Sequence, residues 1–359
     1  MFTQIHYPRN ISAETLDEYL DQGWFRMGQM IFTCQFLCFH GQLYTAIWMR
    51  QDLSEFKFRR GQRKLMNRNA RQFNIVIQKA VFDLEKEALY QEHKKRFEGY
   101  IAGSLKESLY GESIRDIYDT WEISIYLDEK LIGASFFDLG EDSIASIMGL
   151  FDPAYKEYSL GYYSMLLEME WAKKQEIHYY YPGYVVPGYQ RFDYKLRVGP
   201  LDYFNIFDKE WYPYTDLNEE ELISNILKEK LHGLKEKLAK SDIHSEVILY
   251  PLYDRDLAGY DQENFIKYPL FLSCYHHKSN HRFLLIEYDL YQRVFRLSRA
   301  RKYEDSLSYL SYIIFEGYDE RTSFLEFLIQ EEILIETNNF DKIQEAIIQN
   351  SKVIRSSTY

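Results

Sequence analysis

The chain has little cysteine and proline, and it has no apolar run long enough to cross a membrane. Its 359 residues include three cysteines and eight prolines. Three thiols are too few for a disulfide framework and are typical of a protein in a reducing compartment. We therefore expect a cytoplasmic location. The N-terminal residues lack the apolar core of a secretory signal, and we expect no membrane partner.

The chain also lacks a positive net charge: 55 acidic residues outnumber 43 lysines and arginines, so the formal net charge at pH 7 is −12. This balance argues against a general nucleic-acid binder, so any nucleic acid would have to bind at a local basic patch. Hydrophobic residues make up 46% of the chain and aromatic residues 17%, including 33 tyrosines. That composition excludes a disordered protein, and the length allows two or three domains.

One such basic patch exists at residues 57–71, which hold seven lysines and arginines and no acid. An apolar run at residues 43–48 precedes it and would anchor it to a folded core. Gly61 and two asparagines, Asn67 and Asn69, disfavour a simple surface helix. We predict that the patch binds several phosphates, with a solvated cationic face as the alternative. The candidate residues are Arg59, Arg60, Arg63, Lys64, Arg68 and Asn69.

A second informative stretch spans residues 159–203. Ser159, Leu160 and Gly161 are predicted to start a helix, which is followed by a buried aromatic strand at residues 177–181 and a Pro-Gly bend. A helix start beside the open end of a strand directs backbone N–H groups at an anion. The tyrosines and cations that follow suit base stacking and phosphate binding. The stretch therefore predicts a site for a nucleotide-like group.

The remaining pattern predicts an α/β (α+β) chain with a mixed sheet. Strands are expected at 73–81, 122–127, 131–139 and 143–151, with a helix at 83–102 and a crossover helix from residue 159. A later block shows an amphipathic helix, further strands, and helices at 304–315 and 323–335. The predicted division is an N-terminal region with the basic stretch (1–72), a domain around the mixed sheet (73–210) and an accessory region of unknown function (215–359).

Three segments resemble arginyl-tRNA–protein transferases and their bacterial leucyl-transferring relatives. They are WMRQDLSEFKFRRGQRKLMNRNARQF (48–73), ALYQEHKKRFEGY (88–100) and the long stretch from residue 150 to residue 204. The resemblance covers about residues 20–205 and implies a fold like that of Gcn5-related N-acetyltransferases. It further implies an enzyme of the N-degron pathway, an aminoacyltransferase that moves arginine or leucine from charged tRNA to a protein's N-terminal amine, with an acidic N-terminal residue expected on the target.

Aminoacyl-tRNA and a protein N-terminus would then be the partners, and the basic patch would bind tRNA. No cofactor is expected, because the donor ester is already activated. The pocket for donor and acceptor would contain Ser159, Leu160, Gly161, Arg191, Lys195 and Arg197. Tyr184 and Tyr194 are the candidates for protonating the leaving ribose hydroxyl, with packing as the alternative for each.

The sequence departs from the family pattern at several positions. The serine of the family's basic motif is replaced near Gly61, and Pro182 stands in the strand end. Only Cys34 and Cys38 remain of a cysteine cluster, so we expect a buried thiol pair and no metal site. The histidines at 276, 277 and 281 surround a predicted hairpin turn. We interpret this cluster as a solvated turn and not as a metal site.

Two other functions stay open at this stage. An acetyl-coenzyme A-dependent acetyltransferase would need a glycine-rich pyrophosphate loop, but residues 155–161 contain one glycine and one acid. A non-catalytic tRNA- or peptide-binding relative would keep the same scaffold. The pattern also leaves both arginine and leucine open as the transferred amino acid.

Overall fold

The computed structural model describes residues 2–96, 102–111, 116–258, 264–277, 282–303, 318–319 and 321–356. The strands are β1 Thr3–His6, β2 Phe25–Met27, β3 Met30–Cys34, β4 Phe36–Phe39, β5 Gln42–Thr45, β6 Ile47–Asp52, β7 Asn74–Lys79, β8 Thr120–Leu127, β9 Lys130–Leu139, β10 Ser143–Phe151, β11 Tyr179–Val185, β12 Asp202–Asn205, β13 Glu210–Pro213, β14 Glu246–Leu249, β15 Leu270–His277, β16 Arg282–Asp289, β17 Val294–Lys302 and β18 Leu328–Thr337. The α-helices are α1 Ala13–Asp21, α2 Arg60–Asn69, α3 Leu84–Lys94, α4 Leu105–Tyr110, α5 Leu160–Lys174, α6 Ile223–Lys240 and α7 Phe340–Ser356. Short 3-10 helices cover Pro153–Tyr158, Gln190–Arg197, Tyr214–Asp216, Glu219–Glu221 and Pro251–Ala258.

The chain divides into two compact units. The first unit comprises Ile5–Thr33 and Ala46–Leu217, and the second comprises Met1–Gln4, Cys34–Thr45 and Asn218–Tyr359. Residues 34–45 thus fold with the C-terminal part of the chain, whereas the sequence-based division placed them in its N-terminal region. The functions assigned to the three predicted ranges stay predictions.

The first unit is built on an eight-stranded sheet with the order β13-β12-β6-β11-β10-β9-β8-β7. Strands β7 to β10 form an antiparallel meander, and α5 then crosses over so that β11 runs parallel to β10. The predicted α/β class, with a mixed sheet and a crossover helix, is confirmed. The polar turn at residues 128–129 joins β8 and β9 as predicted, because it interrupts two mainly apolar runs.

Helices cover both faces of this sheet. Phe136 and Phe137 are adjacent on β9 and are both fully buried, so their side chains point to opposite faces. Phe137 packs on Trp171 of α5, with ring centroids 5.1 Å apart. Phe136 joins a cluster with Leu89 of α3 and Leu109 of α4. A sheet buried on both faces explains why its central strands are continuously apolar.

Three secondary-structure predictions in the first unit need correction. Strand β11 does not end at a Pro-Gly bend: it continues to Val185, and Pro182 sits at a bulge against β6, where a missing N–H is tolerated. Helix α3 ends at Lys94, and residues 97–101 of the predicted helix lie outside the described residues. The composition of the stretch after Tyr203 predicts a loop, but β12 and β13 pair there as a hairpin.

The second unit contains a five-stranded antiparallel sheet with the order β14-β15-β16-β17-β18. Helices α6 and α7 pack against it, and β4 and β5 form a separate hairpin. The helix predicted at 323–335 was wrong: most of these residues form β18, whose Glu332 and Glu336 pair with Arg299 and Arg296 on β17. The predicted helix at 304–315 and His281 lie outside the described residues.

Cys34 and Cys38 also belong to the second unit. Cys34 is buried and Cys38 is half-buried. Burial, followed by the nearby Asp254 carboxylate, raises the pKa of both thiols, so they stay protonated at neutral pH. Within the described ranges, no group of three or more metal-ligating side chains is close enough to hold an ion. No helix in the described part of the chain is both long and apolar enough to cross a membrane.

A buried ion pair in the first unit gives a test of the fold. Arg26 of β2 donates to the Asp138 carboxylate of β9 at 2.7 Å, and their side chains are 1% and 0% exposed. Asp138→Leu removes the nearer and more buried of the two carboxylates that pair with Arg26, the other being Asp116 at 3.8 Å. We expect the free energy of unfolding in urea to fall by about 3–5 kcal/mol, because the arginine stays buried.

The matched control is Asp119→Ala, which breaks the exposed pair of Asp119 with Lys79. Solvent screens that pair, so the loss there is expected to stay under about 1 kcal/mol. Equal losses in the two variants would contradict the role assigned to the Arg26–Asp138 pair.

Candidate active site

A cavity of about 580 Å³ opens in the first unit between β10, β11, the start of α5 and the 3-10 helix Gln190–Arg197. Strands β10 and β11 pair over three residues only, from Ser143 opposite Tyr179 to Ala145 opposite Tyr181. Immediately beyond, β10 and β11 each have a register irregularity against their other neighbour. Such bulges bend strands and disrupt pairing, and the cavity occupies the gap that results.

Most residues predicted for the pocket line this cavity. They are Ser159, Leu160, Gly161, Arg191, Tyr194, Lys195 and Arg197. Tyr184 is not among the lining residues. Its ring packs on Trp48 and Phe192, with ring centroids 5.2 Å apart in each pair, and its backbone carbonyl accepts a hydrogen bond from Lys195 Nζ at 3.0 Å. The geometry favours packing for Tyr184, and the proton-transfer role of Tyr194 stays a prediction.

The helix start at the cavity has an unusual backbone. Ser159 lies in the left-handed region, at φ 52° and ψ 48°, and its side chain makes no capping hydrogen bond to α5. A non-glycine residue rarely adopts this conformation, and such strain is concentrated at functional sites. The first N–H groups of α5 therefore lack the cap that a serine at this position normally provides.

Gly161 allows a close approach between α5 and β10. A Cβ at this position would lie 3.1 Å from Phe151 Cε1, which is tighter than ordinary packing. The Phe151 ring in turn contacts the His93 ring at 5.1 Å and the Arg96 guanidinium at 4.5 Å. Gly161 thus serves helix–strand packing while it also lines the cavity.

The mouth of the cavity is positively charged. The exposed side chains of Arg96, Lys156, Arg191 and Arg197 line it. Arg197 stacks over the Tyr162 ring at 4.4 Å. These cations suit phosphate or carboxylate groups, which charge-assisted hydrogen bonds recognise strongly.

Lys195 differs from the other cations. Its Nζ lies 5.3 Å from the ring centre of Tyr184 and 5.5 Å from that of Phe192. Burial lowers the pKa of Lys195 to about 7. A substantial fraction of this amine is therefore neutral near pH 7, which makes it a weaker anion ligand than predicted but a suitable proton acceptor.

Sequence reasoning missed Glu168 on α5. This side chain is fully buried and lines the cavity. Its Oε2 accepts a hydrogen bond from the Tyr180 hydroxyl at 2.9 Å, and burial raises its pKa to about 7. The sequence feature that could have indicated Glu168 is its position between Leu167 and Met169, which places a carboxylate on the buried face of an apolar helix.

His93 was also missed. It is buried on α3, lines the cavity and accepts a hydrogen bond from the Phe151 N–H on Nδ1 at 3.4 Å. Burial and then the Arg96 charge lower the pKa of His93, so the ring is neutral at pH 7. With Nδ1 accepting, the proton of the neutral ring sits on Nε2.

Residues 60–69 of the basic patch form a regular helix, α2, although Gly61 and the two asparagines were expected to disfavour a simple surface helix. Gln62, Met66 and Asn69 face inward at i, i+4 and i+7, and this buried stripe outweighs the low helix propensity of Gly61 and Asn67. The candidate cations are all exposed. They are Arg59, Arg60, Arg63, Lys64 and Arg68.

Two buried amides attach α2 to the cavity. Gln62 Nε2 donates to the Val198 carbonyl at 2.8 Å and to the Tyr162 hydroxyl at 3.0 Å. Asn69 Nδ2 donates to the Tyr158 carbonyl at 2.9 Å. Asn69 is fully buried and so does not face solvent as predicted for a phosphate ligand. The two amides connect the basic helix to both segments that frame the cavity.

Comparison with known proteins supports the predicted family. Residues 85–205 match the model of the C-terminal part of arginine-tRNA-protein transferases. The match confirms the predicted resemblance to the aminoacyl-tRNA–protein transferases, a family of enzymes.

Similar relatives are named aspartate/glutamate leucyltransferase. The protein of Campylobacter jejuni strain 81-176 is 29% identical over 201 residues, which cover 54% of this chain and 81% of the relative. That of Leptospira interrogans strain Fiocruz L1-130 is 27% identical over 206 residues, covering 55% and 78%.

Solved structures show weak likeness. L-PGS from Bacillus licheniformis has a TM-score of 0.30 and 16% identity, covering 49% of this chain and 52% of that one. A GCN5-related N-acetyltransferase from Kribbella flavida has a TM-score of 0.24 and 10% identity, covering 41% and 60%. At these TM-scores the likeness gives no information about the function of this chain.

The amide contacts of α2 generate a prediction. Gln62→Met removes the donor to Val198 and Tyr162 while keeping the side-chain length. We expect the free energy of unfolding to fall by about 1–3 kcal/mol, and backbone amides of α2 and residues 158–162 to exchange hydrogen faster. Hydrogen exchange with mass spectrometry measures both segments.

Asn67→Met is the control, since Asn67 is an exposed amide on the same helix. Its exchange is expected to match that of the wild type. Unchanged exchange at residues 158–162 in Gln62→Met would show that α2 does not support the cavity.

Proposed function

We propose that this protein transfers leucine from leucyl-tRNA to the N-terminal amine of proteins that begin with Asp or Glu. The resemblance to the aminoacyl-tRNA–protein transferases supports the general reaction. The observation that carries the finer proposal is the lining of the cavity, which combines an apolar wall, a cationic mouth and one buried carboxyl group.

The apolar wall favours leucine over arginine. Ile147, Met148 and Met165 line the cavity and would surround a hydrocarbon side chain. A buried guanidinium needs a carboxylate that it can bind through two oxygens. Among the described lining residues only Glu168 carries a carboxyl, and Tyr180 already occupies one of its oxygens. The names of the Campylobacter and Leptospira relatives agree with this preference.

The cationic mouth favours an acidic acceptor. Arg191 and Arg197 lie on the 3-10 helix that borders the cavity, where they can bind the side chain of an N-terminal Asp or Glu. The same charges would disfavour an acceptor with an N-terminal lysine or arginine.

The exposed face of α2 supports tRNA as the carrier of the donor. In an acidic chain, this helix presents Arg60, Arg63 and Lys64 to solvent, and its buried amides fix it beside the cavity mouth. Phosphates of the acceptor stem would bind this face, while the terminal adenosine enters between aromatic rings such as Tyr162 and Phe192.

The reaction needs positioning and proton transfer. The acceptor nitrogen forms a bond to the ester carbonyl carbon, the bond from that carbon to the ribose oxygen breaks, and the amine gives up a proton. Lys195, with a pKa near 7, is placed to take that proton. The ribose oxygen receives a proton from Tyr194 or from water, since burial and then the Glu168 charge raise the pKa of Tyr194 and keep it protonated.

A transfer assay tests the function. Purified protein is mixed with radiolabelled leucyl-tRNA or arginyl-tRNA and with peptides that differ only in an N-terminal Asp, Glu, Ala or Lys. We expect label from leucyl-tRNA on the Asp and Glu peptides and none on a peptide with an acetylated N-terminus.

Labelled acetyl-coenzyme A is included in parallel. Preferred transfer of arginine would contradict the choice of leucine. Acetyl transfer, or tRNA binding without transfer of either amino acid, would contradict the proposed reaction and favour the acetyltransferase or the binding-module alternative.

The role of α2 is tested through salt dependence. Replacing Arg59, Arg60 and Arg63 with alanine removes three exposed cations, so tRNA affinity is expected to fall. The slope of log Kd against log salt should decrease by about 1 for each phosphate that the variant no longer binds. Fluorescence anisotropy at several salt concentrations measures both.

The control replaces three exposed cations elsewhere, Arg9, Lys237 and Lys240, which changes net charge by the same amount. Equal losses in the two triple variants would mean that tRNA affinity depends on the net charge of the protein and not on α2. An unchanged slope would mean that the cations of α2 only face solvent and bind no phosphate.

A further inference from the structure

The deepest polar group of the cavity is the carboxyl of Glu168. It sits on α5 and is fully buried, although it lines the cavity. One oxygen, Oε2, accepts the Tyr180 hydroxyl at 2.9 Å. By distance and angle, no described residue donates a hydrogen bond to the other oxygen, Oε1, although the Ser135 and Ser146 hydroxyls are close enough to the carboxyl to lower its pKa. A buried oxygen that the protein does not fully satisfy is costly, so its position beside a cavity leaves it available to a donor on a ligand.

The surrounding charges narrow the chemistry of that ligand. The other ionisable side chains that line the cavity are cations, neutral imidazole or phenols; the cations are Arg96, Lys156, Arg191, Lys195 and Arg197. A carboxylate or phosphate group of a substrate would therefore bind near the mouth. Among the described lining residues, Glu168 carries the one carboxyl group that a primary amine could pair with.

We infer that Glu168 determines substrate specificity by binding the primary amine of a reactant through Oε1. The inference rests on the proposed function, which supplies two such amines: the α-amine of the leucyl ester and the N-terminal amine of the acceptor. Both present N–H donors of the same kind.

The environment of Glu168 suits an amine whose own pKa is near neutral. Ser135 on β9, Ser146 on β10, Tyr180 on β11 and Tyr194 on the 3-10 helix face this carboxyl. Burial raises the pKa of Glu168 to about 7, because its effect is larger than that of the hydrogen bonds, which lower the pKa. Amines at chain termini have a pKa of about 7.7–8, so a proton is shared between amine and carboxyl at little cost.

Binding of two probe pairs tests the inference without turnover. The donor pair is 3′-deoxy-3′-(leucylamino)adenosine and its N-acetyl derivative; the acceptor pair is a short peptide beginning with Asp and its N-acetyl derivative. In the wild type, calorimetry should show the free amine of at least one pair binding about tenfold or more tightly than the acetylated member. In Glu168→Gln, that ratio should fall to about twofold or less.

A fall confined to the donor pair assigns the donor's amine to Glu168, and a fall confined to the peptide pair assigns the acceptor's amine. Both outcomes support the inference. A wild type without preference for free amines, or ratios that persist in Glu168→Gln, would overturn it. Leucine transfer that proceeds while the ratios persist would overturn this inference and leave the proposed function standing.

Two further variants separate binding from structure. Glu170→Gln on the same helix alters a carboxylate that pairs with Lys174 at the surface, so its ratios should match the wild type. Tyr180→Phe keeps the Glu168 carboxyl but removes a hydrogen bond that lowers its pKa. The pH below which the free-amine preference disappears should therefore move upward. If Glu168→Gln does not fold, an unchanged pH dependence in Tyr180→Phe overturns the inference.

Discussion

The short parallel contact between β10 and β11 is the constraint on which the site depends. Three pairs of residues hold the two strands together, and beyond Ala145 and Tyr181 their pairing stops. The crossover helix α5 bridges both strands, so its first turn must begin at the mouth of the gap. Ser159, Gly161 and Glu168 thereby line one cavity, although eight residues lie between the first and the last. Longer pairing would close the gap and bury the same side chains in a core.

The basic helix α2 depends on that same framework. Its outward face holds the cations and its inward face holds two amides, Gln62 and Asn69, which bond to backbone carbonyls on either side of the cavity. A helix held by packing of Met66 alone could slide or rotate, because apolar contacts have no direction. Hydrogen bonds fix its position and angle, so the proposed path from the tRNA stem to the cavity has a defined geometry.

Much of the fold could be predicted because local patterns and tertiary packing agree. The meander of β8, β9 and β10 follows apolar runs with a polar turn, and Ser12 caps α1 as its residue type suggests. The errors occurred where tertiary contacts decide. Residues 323–335 have a helical composition, yet pairing with β17 makes most of them a strand, and the bulge at Pro182 lets β11 continue. For the site, the motif residues around Gly161 and Lys195 could be predicted from resemblance. Glu168 could not, because its importance comes from burial next to Tyr180.

Burial moves the pKa values of two ionisable groups that line the cavity toward each other from opposite sides. It raises that of Glu168 and lowers that of Lys195, both to about 7. Each group is therefore only partly ionised near pH 7, and each can exchange a proton with an amine at small cost. The exposed arginines at the mouth keep their charge and can hold anionic groups in place. This arrangement suits transfer of an already activated acyl group to an amine. The arginines position the substrates through their fixed charge, and Glu168 and Lys195 can gain or lose a proton where the bond forms.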